Sequence, residues 1–158
     1  MNVLFLCTDN FTRSIIAEYC FIDFLRKNPL DDFFVSSAGI RADSDISKYS
    51  TLHFEILKEM GIDTTEWSRT AFREECFEEF ELIIGMSELH KDYIKQKYSR
   101  DILLFNEIYN GQNTPVSIGA PDSENFEEQM RLLVHYFHDA MPELYKNIKE
   151  LKGEKRVV

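Results

Sequence analysis

Cysteine is scarce in this chain, with only Cys7, Cys20 and Cys76 among 158 residues. An odd number without metal-ligand spacing excludes a disulfide scaffold and gives no zinc site. Glycine and proline are also few, six and four, and they mark no repeat, linker or low-complexity tract. There is no long apolar run: the opening MNVLFLCTDN holds about five consecutive apolar residues and no basic leader, too few for a signal peptide or a membrane span. A cytoplasmic location without membrane contact is expected. Basic residues are outnumbered, 18 Lys and Arg against 28 Asp and Glu, for a formal charge of −10. That field repels phosphate backbones and anionic lipid, so no nucleic-acid partner is expected.

What is present suits a globular fold. The hydrophobic fraction is 44% and the aromatic fraction 13%, and the length suits one domain over residues 1–158 with a core of its own. A short apolar strand runs from Asn2 to Leu6, and a helical stripe starts near Arg13 and stops at Asn28-Pro29. Further strands are predicted at Asp32 to Ser36, Glu81 to Ile84 and Ile102 to Phe105. Further helices are predicted at Tyr49 to Met60, Glu88 to Tyr98 and Ser123 to Lys149. Strands alternating with helices imply an α/β fold, a parallel sheet with helices on both faces. Residues 110–122 form the one long aperiodic segment, and long loops in compact domains carry function.

In such a sheet the ligand crevice lies beyond the carboxyl ends of the strands. The stretch CTDNFTRS, Cys7 to Ser14, occupies one of those ends. A turn from strand into helix can direct successive backbone N–H groups at an anion, and the helix adds its positive end. Thr8, Asp9, Asn10, Phe11, Thr12, Arg13 and Ser14 are therefore candidates to cradle phosphate. Arg13 offers a fork that fits two phosphate oxygens, Cys7 a sulfur nucleophile, and Ser14 a hydroxyl for its thiolate. Cys-x5-Arg alone is a weak pattern, and a buried cysteine is often mere packing. The strand before it, the helix after it and the Ser following the Arg favour function.

At these residues the sequence resembles the low-molecular-weight protein tyrosine phosphatases. The resemblance begins in VLFLCTDNFTRSIIAEY and continues in Ser36-Ser37-Ala38-Gly39, Met60-Gly61-Ile62, Arg69 and Phe80-Glu81-Leu82-Ile83-Ile84-Gly85-Met86, nearly the whole chain. It implies a four-stranded parallel sheet and a phosphatase that works without metal or cofactor through a phosphocysteine intermediate. The substrate it implies is phosphotyrosine, or a similar phosphorylated protein or peptide, with phosphate and other oxyanions as further ligands. By the same resemblance Cys7 is the nucleophile, Arg13 the transition-state clamp, Ser14 the thiolate's partner, and Asn10, Ser14 and Ser37 support the loop.

The chain departs from the family at three places. Asp9 stands where Gly is usual, a negative charge beside an anion site that is tolerable if its carboxylate points away. Thr12 stands where many members have a second Cys, so an intraloop disulfide cannot form. The family's acid is the Asp of an Asp-Pro pair, whereas the corresponding loop here reads Gly119-Ala120-Pro121-Asp122-Ser123-Glu124-Asn125-Phe126. Matching Pro-Asp makes Asp122 the general acid, the preferred reading because a carboxyl on a flexible loop can still reach the leaving oxygen; matching Asp-Pro puts Ala120 there and leaves no acid in register. Asp122 or Ser123 would also serve as an N-cap for the last helix.

Other features read as structural. His135 and His138 share a helix face without a third ligand. Arg73 to Glu81 reads as a solvated helix face with Phe77 and Phe80 turned inward, and Cys20 and Cys76 as inert thiols. Two alternatives stand beside the phosphatase: an arsenate reductase on the same fold, which needs further cysteines to relay a disulfide, and a non-catalytic phosphate-binding module.

Overall fold

The computed structural model describes residues 1–29 and 33–157, with side chains through residue 152. Four strands, β1 (Asn2–Cys7), β2 (Phe34–Gly39), β3 (Leu82–Gly85) and β4 (Leu103–Leu104), form one parallel sheet in the order β2-β1-β3-β4. Six helices accompany them: α1 (Arg13–Lys27), α2 (Leu52–Glu59), α3 (Cys76–Glu79), α4 (Glu88–Tyr98), α5 (Phe105–Tyr109) and α6 (Phe126–Val157).

The sheet is buried on both faces because β1 is apolar from Val3 to Cys7, at every position that alternation sends up or down. Val3, Phe5 and Cys7 join one core cluster with α1, α2, α5 and α6, while Leu4 and Leu6 join a second with Ile94 of α4 and Cys76 of α3. Phe5, Phe21, Phe105 and Phe137 are all wholly buried in the first, each contributing about 2 to 3 kcal/mol by removal of apolar surface from water.

The strand order reverses at β1, which pairs β2 on one side and β3 on the other. The loop after β1 therefore opens at the point where the crossovers diverge, the usual crevice of an open α/β sheet.

Several boundaries shift from the sequence expectation. The second strand is displaced toward its carboxyl end, since Ser36, Ser37, Ala38 and Gly39 pair with Leu4, Phe5, Leu6 and Cys7; the expected start at Asp32 lies outside the described residues. The fourth strand shrinks to two residues because Phe105 turns its ring into the first core and opens α5. Arg73 to Glu81 holds only the single turn of α3. The second helix begins at Leu52, which leaves Tyr49 free to bond elsewhere. The last begins at Phe126, after Asn125 in the left-handed region at φ 59°, so neither Asp122 nor Ser123 caps it.

Candidate active site

The phosphate-loop segment leaves β1 at Cys7 and enters α1 at Arg13. Its path is fixed by Asn10, which turns the chain at φ 51° and is wholly buried. The side-chain amide of Asn10 donates to Ser14 Oγ at 2.9 Å and to Ser37 Oγ at 2.9 Å, and its carbonyl accepts the Thr70 N–H at 2.8 Å. Ser37 in turn donates to Glu18 at 2.5 Å. Ser14 Oγ, which accepts from Asn10, lies 3.0 Å from Cys7 Sγ, within hydrogen-bond reach of the sulfur.

Gly39 is required next to this loop. A Cβ on it would lie 2.6 Å from the Asn10 nitrogen and 2.8 Å from the Thr8 oxygen, a clash with backbone that cannot yield. The close approach lets Ile40 N–H reach the Cys7 carbonyl and Arg41 N–H the Thr8 carbonyl, at 3.1 and 2.7 Å.

The loop floors a cavity of about 370 Å³. Cys7, Thr8, Asp9, Phe11, Thr12 and Arg13 line it, whereas Asn10, Ser14 and Ser37 lie beneath as buried supports. Arg13 donates to the Val116 carbonyl at 3.0 Å and to Thr8 Oγ1 at 3.5 Å, which holds its guanidinium across the floor. The walls are apolar: Phe11, Tyr49, Ile118, Pro121, Phe126 and Met130.

Asp9 is among the residues that line the cavity, and its carboxylate is engaged by neighbouring groups. Its carboxylate accepts from the Ser44 hydroxyl and the Tyr49 hydroxyl and lies 3.8 Å from the Arg69 guanidinium. Arg69 also donates to the Asp9 and Ser44 carbonyls, both at 2.7 Å. The pair Asp9–Tyr49 thus fixes an aromatic wall, with Tyr49 5.9 Å from the Phe11 ring.

Of the two matches left open in the loop before α6, the structure puts Ala120 and Pro121 on the cavity wall and Asp122 outside it, exposed. The Ala120 carbonyl accepts both the N–H and the hydroxyl of Ser123, at 2.9 and 2.5 Å, closing a turn that carries Asp122 outward. Gln129 pins that turn by accepting from Gly119 N–H and donating to the Glu124 carbonyl.

Two histidines that sequence reasoning passed over sit under the site. His53 is wholly buried and donates from Nε2 to the Phe11 carbonyl at 2.7 Å; burial pushes its pKa down to about 4. His90 occupies the third position of α4, where a capping box usually places Glu or Gln. Its Nδ1 accepts the Met86 and Ser87 N–H groups, both at 3.1 Å, and its Nε2 meets Thr8 Oγ1 at 3.1 Å. Burial, aided by the charge on Arg13, pushes its pKa down to about 3. The capping position was the one signal that could have found it. By contrast His135 is on an exposed stretch of α6, and His138 stands 3.6 Å from Asp23, which Arg26 and Lys27 already hold.

Burial also raises Glu18 to about 7, against the lowering effect of its Ser37 bond. These shifts predict a pH dependence of stability. Between about pH 5 and 6.5 the unfolded chain protonates His53 and His90 while the folded one does not, which makes stability rise with pH. Glu18 acts in the opposite sense, since the folded chain keeps a proton that the unfolded one has lost. Nearly two protons against less than one leave a net rise of about 1.4 kcal/mol per pH unit at the acid end of this window, shrinking toward pH 6.5 as the unfolded histidines lose their protons. Glu18→Gln removes the opposing proton, so urea titrations across this window should show a steeper rise than wild type; an equal or shallower one would contradict the assignment.

Comparison with known proteins agrees with the geometry. The family model described as low molecular weight phosphotyrosine protein phosphatase matches residues 2–155. A protein-arginine-phosphatase of Bacillus subtilis is 28% identical over 160 residues, covering 99% of this chain and all of that protein. The crystal structure of a YwlE mutant from Bacillus subtilis matches with a TM-score of 0.80 at 24% identity, covering 94% of this chain and 99% of that one. The low-molecular-weight protein tyrosine phosphatase of T. tengcongensis matches with a TM-score of 0.77 at 25% identity, over 92% of this chain and 98% of that one. A thiol over a buried Asn-Ser support, at the switch point of a four-stranded parallel sheet, is thus found in a chain that belongs to the low-molecular-weight phosphotyrosine protein phosphatase family.

Proposed function

We propose that this chain hydrolyses aryl phosphate monoesters, phosphotyrosine in a protein or peptide being the natural case, with Cys7 as nucleophile. The observation that carries this is the Cys7 sulfur, 3.0 Å from the Ser14 hydroxyl, at the floor of a cavity whose walls are apolar and aromatic. In this reading the thiolate attacks phosphorus, the sulfur–phosphorus bond forms as the aryl oxygen leaves, and water then releases phosphate from the phosphocysteine. The N–H groups of the loop and Arg13 stabilise the equatorial oxygens.

The phosphorylated side chain would enter between Tyr49 and the 117–121 segment, where a flat ring finds apolar partners. The Bacillus subtilis relative's name makes a phosphoarginine peptide the natural rival substrate. A guanidinium leaving group wants an unpaired carboxylate beside it. Asp9, the acidic residue lining this cavity among the described residues, has its carboxylate already engaged by Tyr49 and Ser44.

Arsenate reduction is a weaker reading. Cys20 and Cys76 are both buried, belong to core clusters on opposite faces of the sheet and do not line the cavity, so no thiol there can relay a disulfide. Burial raises the pKa of each, which makes thiolate scarce.

The test measures turnover of matched phosphotyrosine and phosphoarginine peptides and of p-nitrophenyl phosphate. Preference for the tyrosine peptide is expected. Preference for the arginine peptide would overturn the substrate assignment, and inertness toward all three would leave a binding module. Arg13→Lys should lower kcat/KM for p-nitrophenyl phosphate by about 10²-fold, because an ammonium cannot supply two parallel N–H groups. An unchanged rate would remove Arg13 from the reaction.

A further inference from the structure

The neighbourhood of Thr8 fixes the direction of every hydrogen bond around its oxygen. His90 Nδ1 accepts from two backbone N–H groups, so the neutral ring carries its proton on Nε2. That N–H points at Thr8 Oγ1 from 3.1 Å, and Arg13 Nη2 approaches the same oxygen at 3.5 Å. An sp³ hydroxyl oxygen has two acceptor positions, and both are taken by donors that cannot reverse. The hydroxyl proton has no acceptor among the described residues, and Thr8 lines the cavity beside Cys7 and Arg13.

We infer that the Thr8 hydroxyl is a dedicated hydrogen-bond donor to the oxyanion held by the loop, and that His90 is the positioning residue that fixes its sense. This rests on the reading of the cavity as a phosphoryl site. It adds to the backbone N–H groups and the Arg13 fork a neutral side-chain donor, set by a residue 82 positions away. His90 is suited to the task because it is wholly buried and anchored at both nitrogens. Its ring can neither swing nor change tautomer without orphaning two backbone donors.

Vanadate affinity and kcat/KM for p-nitrophenyl phosphate, measured in Thr8→Val, Thr8→Ser, His90→Phe and His90→Gln, test the inference. Circular dichroism melting establishes that each variant is folded. Valine keeps the shape and removes the donor, so Thr8→Val should weaken vanadate binding about 10-fold or more and lower kcat rather than raise KM. Thr8→Ser restores the hydroxyl without the methyl and should recover most of the loss seen in Thr8→Val. His90→Phe keeps the hydroxyl but frees it to rotate, and should lose several-fold; His90→Gln returns an N–H to Thr8 and should recover much of that loss.

Vanadate binding unchanged in Thr8→Val, or equal losses in Thr8→Ser and Thr8→Val, would overturn the donor role. Loss confined to substrates with basic leaving groups, with vanadate binding intact, would also overturn it by moving the donor to the leaving oxygen. Should Thr8→Val not fold, the His90→Phe and His90→Gln pair decides: equal behaviour of the two refutes the inference. Failure of the wild-type protein to bind vanadate at all would sink the phosphoryl-site reading itself, a different result from any of these.

Discussion

Cys7→Ser should abolish turnover, lowering kcat by about 10⁴-fold or more, while leaving vanadate and phosphate bound. The argument starts from the oxygen that replaces sulfur. A serine hydroxyl is not an anion at neutral pH, and the site offers no base to make it one. The described group bonded to Cys7 is the Ser14 hydroxyl, itself held by the Asn10 amide, and neither is a base at neutral pH. Donors stabilise an existing anion but remove no proton. Binding should survive because the anion is held by loop N–H groups and Arg13, which the substitution does not touch. Residual turnover near wild type would show that the chemistry lies elsewhere; loss of vanadate binding together with activity would show that the sulfur shapes the loop rather than attacks.

The second large effect is a gain. Ala120→Asp should accelerate hydrolysis of a phosphotyrosine peptide by about 10²- to 10⁴-fold on the acid side of neutrality. Ala120 lines the cavity and Asp122 does not, so a carboxyl at 120 would stand closer to the leaving oxygen than the one at 122. The gain should be much smaller for p-nitrophenyl phosphate, whose anion is already delocalised. In parallel, Asp122→Asn should change either rate by less than about 2-fold, since an exposed side chain outside the wall holds no proton near the chemistry. A large loss in Asp122→Asn with no gain in Ala120→Asp would mean that the loop recloses on substrate and restores the Pro-Asp match.

How much of this could be read from the sequence depends on how local each signal is. The corner at Cys7 was legible because an apolar run, a break and a helical stripe lie within a few residues of one another. The helix Glu88–Tyr98 was legible to the residue, with Ser87 before it and the left-handed Ser99 after it. The two-residue strand at Leu103–Leu104 was overcalled because Phe105 is apolar in either conformation, and its burial as the first residue of α5 is a tertiary matter. Asp9 read as a liability, since nothing near it in sequence announces Ser44, Tyr49 and Arg69 as its partners. The Thr8–His90 pair spans 82 residues, and no single-chain pattern links them. The placement of Ala120 and Asp122 depends on where the four-residue turn 120–123 points, and the bonds from Ser123 to the Ala120 carbonyl that set it cannot be read from local pattern.

The tie through Asn10 also bears on the order in which the molecule assembles. Its partners Ser37 and Thr70 are 27 and 60 residues away, and Arg69 reaches Asp9 across another 60. Helices such as α1 need only neighbouring residues, whereas these bonds wait for β1 and β2 to dock and for the Gly39–Ala71 bridge to close. The anion cradle is therefore among the last parts to form and the first to open. An oxyanion bound there acts on the native side of the barrier: it retards unfolding and leaves the folding rate almost untouched. The Cys7 thiol consequently meets its Ser14, Asn10 and Ser37 surroundings only in a chain whose sheet is already complete.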